Sequence, residues 1–138
     1  MYTNEEINYL RLAARYYRLS APVEWERKAE EWLVRVCNGC GPERWPEAKR
    51  QALTKALRRY ESCFAIHDVD YEIKTKRSEA DRRLRANMIK VWRKDFGLWR
   101  WLSRAGRAER LVVIPAVFAA VVLAGGAAYE SGKGKGDE

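Results

Sequence analysis

Apolar positions recur at helical spacing along nearly the whole chain. Thr3 and Glu6 stand three apart ahead of Ile7, Leu10, Ala14 and Tyr17, a pattern that predicts a capping box opening a first helix with one buried face. Ser20-Ala21-Pro22 breaks that period, and Trp25, Ala29, Trp32, Leu33 and Val36 predict a second helix. Its end is marked by Cys37-Asn38-Gly39-Cys40-Gly41-Pro42, where Asn-Gly and Gly-Pro are turn signals and glycine reaches backbone angles that other residues resist. Pro46 suits the first turn of a third helix, whose face runs Leu53, Leu57, Tyr60, Cys63, Phe64, His67 and Tyr71. Ser78 is placed to cap a fourth, with the stripe Asp81, Leu84, Met88 and Val91. Gly106 is expected to separate the tryptophan-rich segment that follows from the last element. The expected fold is therefore all-α. A small helical domain at 1–110 has two antiparallel core helices carrying the candidate site, and a hydrophobic helix follows at 111–130.

That last helix is the outlier in pattern. Residues 111–129 carry no charge and are flanked by Arg110 on one side and Lys133 and Lys135 on the other. Roughly 17–25 apolar residues suffice to span a bilayer. Pro115, Gly125-Gly126 and the many alanines weaken a span, so the expectation is divided between a transmembrane helix and one buried against the rest of the fold. The tail at 131–138 has the composition of a flexible linker.

Composition adds two constraints. At 138 residues and 47% apolar content the chain can bury a core without disulfides. Its 27 basic and 19 acidic residues are unevenly placed, because residues 74–110 hold thirteen basic against four acidic ones. Such a local field attracts a polyanion, either nucleic acid or a surface of anionic lipid headgroups. The contact candidates are Lys90, Trp92, Arg93, Lys94, Trp99, Arg100 and Trp101, since lysine, arginine and amphipathic rings favour a membrane interface. The opening residues lack the basic start of a secretory signal, so membrane association is expected with no N-terminal secretion signal, and the compartment stays open.

One histidine and three cysteines bound the chemistry further. Any histidine base must be His67, and a multi-histidine metal centre is excluded. His67 shares its face with Tyr60, Cys63, Phe64 and Tyr71, and Asp68 follows about a quarter turn away. Asp81 heads an otherwise apolar stripe, and a carboxylate on a buried side is costly unless paired. It also stands at capping-box spacing from Ser78. If the third and fourth helices are antiparallel neighbours, Asp81 can reach His67 or Tyr71, fixing the imidazole tautomer and raising its basicity. The glycine turn can aim backbone carbonyls at one point, and carbonyls beside Asp68 make the oxygen cage that Ca²⁺ prefers.

Asn38-Gly39-Cys40-Gly41-Pro42, then Cys63-Phe64-Ala65-Ile66-His67-Asp68-Val69-Asp70-Tyr71, then Ala80-Asp81-Arg82-Arg83-Leu84 with Met88 resembles the phospholipase A2 superfamily, most of all its short bacterial and phage-encoded members. The resemblance covers residues 37–88. It implies that His67 is a general base, that Asp81 orients it, and that Tyr71 bonds to Asp81. It further implies Ca²⁺ held by Asp68 and the carbonyls of Gly39 and Gly41, with Glu43 as a further candidate ligand, and a Cys40–Cys63 disulfide. The implied substrate is a phospholipid ester at a membrane. Two departures stand out: Glu43 occupies a position where the family usually has glycine, and Ile73-Lys74-Thr75-Lys76 replaces a glycine pair often found after the tyrosine.

The same residues admit a rival. Cys37, Cys40, Cys63 and His67 offer three thiolates and an imidazole, enough for tetrahedral Zn²⁺. With the basic stretch, that would make a zinc-stabilised nucleic-acid-binding domain. This alternative uses every cysteine and leaves Asp68, Tyr71 and Asp81 without roles.

Overall fold

The structure, a computed structural model, describes residues 2–37 and 45–131, and all regular structure among them is helical. The first helix, α1 (Asn4–Tyr16), opens on a reciprocal cap. Thr3 Oγ1 accepts from the Glu6 amide at 3.2 Å, and the Glu6 carboxylate accepts from the Thr3 amide at 2.7 Å. It closes on Arg18, whose φ of 53° puts a side-chain-bearing residue in the left-handed region. The Leu19 amide reaches back to the Ala14 carbonyl at 2.9 Å and the Arg18 amide to Arg15 at 3.1 Å, a turn in which glycine is the usual residue.

The single second helix expected from Trp25 to Val36 is two. Helices α2 (Glu24–Arg27) and α3 (Glu30–Val36) are separated by extended backbone at Lys28 and Ala29. The cause is tertiary. The Arg11 guanidinium of α1 bonds the carbonyls of Trp25 at 2.8 Å and Lys28 at 2.5 Å, replacing bonds a continuing helix would have made. The expected third helix is also divided, into α4 (Glu47–Ala56) and α5 (Glu61–Glu72), by a tight turn at Arg58–Tyr60. That turn buries the Tyr60 ring while its hydroxyl donates to Glu109 at 2.7 Å.

Helix α6 (Arg77–Phe96) starts two residues earlier than a Ser78 cap would place it, with Lys76 at the N-cap and no side-chain cap bond. It stops at Gly97, whose φ of +52° combined with ψ of −133° is a backbone conformation that glycine alone adopts readily. Gly106 does not separate anything. It is buried inside α7 (Arg104–Ala108), where a Cβ would run into the Arg100 carbonyl. A widened turn at Glu109–Val113 joins α7 to α8 (Ile114–Ser131). Pro115 explains the widening, because proline has no amide hydrogen for the carbonyl four residues back and its ring crowds that carbonyl.

Two apolar cores meet at α5. Ile7, Leu10 and Ala14 of α1, Trp25, Leu33 and Cys37 pack on Ala65, Ile66 and Val69. Tyr60, Cys63 and Phe64 pack on Leu84, Met88, Val91 and Trp92 of α6 and on Ile114. Helix α5 is thus buried nearly all round, which is why its residues 62–70 read as a mixture of apolar and polar types without a clean stripe. Helix α8 and the turn before it pack on the rest of the fold by one side only. Ile114, Val113, Val117 and Val121 join the second core, while Leu111, Val112 and Leu123 face outward.

Candidate active site

The site candidate lies where α5 and α6 pack together. His67 Nε2 stands 2.8 Å from Asp81 Oδ1, and the Tyr71 hydroxyl donates to the same oxygen at 2.8 Å. The His67 and Tyr71 rings, one turn apart on α5, lie 4.2 Å between centroids, so each limits the other's rotation. Both His67 and Asp81 are buried. Arg77, four residues before Asp81 on α6, places its Nε 3.8 Å from Asp81 Oδ2.

The electrostatics favour an ionised Asp81. Burial pushes its carboxyl up, but the hydrogen bonds from His67 and Tyr71, with the charges of His67 and Arg77, outweigh burial and hold it below its ordinary value. Tyr71 is shifted the other way: burial first, then the bond to Asp81, raises its hydroxyl and keeps it a neutral donor. An ionised carboxylate can only accept, so Nε2 carries a hydrogen, and in the neutral imidazole Nδ1 is the nitrogen with the lone pair.

Asp68 is half-buried on the next position of α5. The Cys37 thiol, at the end of α3, donates to the Ala65 carbonyl at 3.5 Å. Its acidity is suppressed by burial and, after that, by the nearby Asp68 carboxylate. The end of α3 therefore lies against α5 at Ala65, three residues before Asp68. Gly39, Cys40, Gly41 and Glu43 lie outside the described residues, and so does any Cys40–Cys63 bridge. Among the described residues no three histidine, cysteine or acidic side chains are grouped to hold a metal ion. For the zinc alternative, Cys37 belongs to the first core and Cys63 to the second. Such a site would also require Cys37 to leave Ala65.

The contact candidates divide. Trp92 is not a surface contact: it is buried in the second core, its Nε1–H donating to the Gly106 carbonyl at 2.7 Å. Its ring is covered by Trp101 at 5.0 Å. Trp99 and Trp101 are exposed, and Arg100 is half-exposed. Lys90, Arg93 and Lys94 line an open groove of about 430 Å³ with Tyr17 and Arg18, away from His67.

Three neighbours of the site were not singled out by sequence reasoning. Arg77 could have been found from its four-residue spacing to Asp81. Gly125 and Tyr129 could not, because only the packing of α8 brings them there. The Tyr129 ring stands edge-on to Tyr71 at 5.3 Å, and a Cβ on Gly125 would come within 2.5 Å of the Tyr71 hydroxyl.

No family model matches the chain, and no curated protein or solved structure is significantly similar to it.

Proposed function

We propose that the protein is a phospholipase A2-like ester hydrolase acting on phospholipid at an anionic membrane surface. The observation that carries this reading is the shared Asp81 oxygen, bonded by both His67 and Tyr71. A buried histidine kept only for packing needs one hydrogen-bond partner. A carboxylate that is itself held by tyrosine and approached by arginine is an orienting group for a base.

The chemistry follows from the tautomer. His67 Nδ1 takes a proton from a water as its oxygen attacks the ester carbonyl carbon. The imidazolium that forms is stabilised by Asp81, with Tyr71 holding that carboxylate in place. The same proton is then given to the departing alkoxide, leaving a free fatty acid and a lysolipid. Calcium would be held by Asp68 with the carbonyls of Gly39 and Gly41 and the Glu43 side chain, and would supply positive charge to the ester oxygen. The contact of the α3 end with Ala65, one turn before Asp68 on α5, supports that assignment.

Phospholipid vesicles mixed with the protein, with calcium and then with chelator, provide the test. Release of fatty acid is expected with calcium and lost with chelator. His67→Gln is expected to cut the rate by about 10²–10⁴-fold while the helical circular dichroism is unchanged. No fatty acid release at any calcium level overturns the reading.

A further inference from the structure

Among the described residues one helix is long and apolar enough to cross a membrane by length and composition, yet only 6% of its apolar window is buried. Its exposed positions Val112, Pro115, Ala116, Ala119, Val122 and Leu123 recur at intervals of three and four and form one uncharged stripe, with Leu123 86% exposed. Leu98, Trp99 and Leu102 are exposed in the turn just before α7. A contiguous apolar surface of this kind marks a docking face.

Charge selects the occupant. Arg100, Arg104, Arg107 and Arg110 precede the stripe. The single acid between Asp95 and Glu130 is Glu109, which accepts from Tyr60 at 2.7 Å and lies 3.8 Å from Arg59. An apolar face with a cationic approach fits anionic lipid. The contacts this helix already makes with the rest of the fold decide the orientation. Ile114, Val113, Val117 and Val121 are spent on the second core, the Val122 carbonyl accepts from Arg77, and the Tyr129 carbonyl accepts from Lys74 at 3.0 Å. Crossing a bilayer would strip all of these contacts, whereas lying flat keeps them and hides only the exposed stripe.

We infer that α8 docks the protein on an anionic phospholipid bilayer by its outward face, lying in the interface without spanning it. This rests on the hydrolase reading for its purpose. Because Gly125 and Tyr129 on the inner side touch Tyr71, the His67–Asp81 pair is held about one helix diameter, ~10 Å, from the lipid.

Flotation of the full chain with phosphatidylglycerol vesicles and with phosphatidylcholine vesicles tests this. The protein is expected to float with the anionic vesicles only and to be released by alkaline carbonate. Leu123→Glu and Val112→Glu are expected to lower the floated fraction at least fivefold, with unchanged thermal melts because both positions are exposed. His67→Gln is expected to float as the native chain does. The inference fails if the protein does not float, floats equally with neutral vesicles, resists carbonate, or floats equally well with either glutamate. It also fails if the stripe instead joins two copies of the chain, seen as a lipid-free dimer that Leu123→Glu dissociates. Flotation without fatty acid release defeats the hydrolase reading alone, and hydrolysis of dispersed lipid without flotation defeats the docking alone.

Discussion

Asp81 Oδ1 receives hydrogen bonds from two side chains of α5, and Arg77 approaches its second oxygen. These partners hold its folded acidity below the unfolded value of about 3.9, against the opposing push of burial. Its stabilising share is therefore present in full above that value and is lost as acid titrates it through its lower folded value. Asp81→Asn should flatten the acid limb of melting temperature against pH below about pH 4. An unchanged acid limb would show that this carboxylate is not coupled to the fold. On fatty acid release, the same variant should cost two or more orders of magnitude, roughly the range of a general base itself, because an amide can donate to Nε2 and select the wrong tautomer. Tyr71→Phe is milder. One hydrogen bond is lost, about 0.5–1.5 kcal/mol, while the His67–Asp81 contact remains, so activity should fall less than in Asp81→Asn.

Among the helices, the ends and close approaches carry the sharpest consequences. Arg18 stands in the left-handed position closing α1, and a non-glycine residue there costs about 1–2 kcal/mol. Part of that is offset by the greater unfolded freedom of glycine, so Arg18→Gly should stabilise by about 0.5–1 kcal/mol. Urea unfolding measures this, and a destabilised variant would mean that the Arg18 side chain contributes packing beyond its backbone role. Lys74 repeats the device at the end of α5, with a φ of 62°. It differs in that its ammonium bonds the Tyr129 carbonyl and lies 5.0 Å from that ring, tying the end of α5 to α8. Gly106 is the opposite case. A methyl group there meets backbone, not a movable side chain, and the neighbouring Trp92 bond depends on the same peptide. Gly106→Ala should cost about 1–3 kcal/mol, the usual cost of overpacking, and should redshift tryptophan emission as the Trp92–Gly106 contact loosens.

For the whole molecule, the linkage between cores matters more than either core. Asn87 is fully buried, accepts from the Ser20 amide at 2.9 Å and donates to the Ser20 carbonyl at 2.8 Å. It fastens the connection after α1, on the first core, to α6, on the second. Removing it leaves two backbone groups unsatisfied, so Asn87→Ala should cost about 1–3 kcal/mol. Two transitions in place of one in the variant's denaturation curve would show that Asn87 couples the cores. A second fastening runs through Arg59, 3.0 Å from Asp95 and 3.8 Å from Glu109. Tyr17 donates to Asp95 at 2.6 Å and Tyr60 to Glu109 at 2.7 Å, joining α1, α6 and the start of the last helix.

Local chemistry alone determined much of the outline. Helical periodicity and the Thr3–Glu6 spacing are read within a few residues, so the all-α class and the first cap needed no partner. A single histidine restricted any imidazole chemistry to His67, and the odd carboxylate in the Asp81 stripe pointed to a buried pairing. The helix breaks were different. The α2–α3 break depends on Arg11, from another helix, and the α4–α5 turn is accompanied by a bond from Tyr60 to distant Glu109. Periodicity continues across both without a signal. Trp92 and Trp99 look alike in composition, yet one is buried against Gly106 and the other faces outward. The apolar run after Arg110 could not reveal which of its faces meets the core. That was decided by Ile114 and Val117 packing on α6, because burial is a property of what lies opposite a side chain and not of the side chain itself.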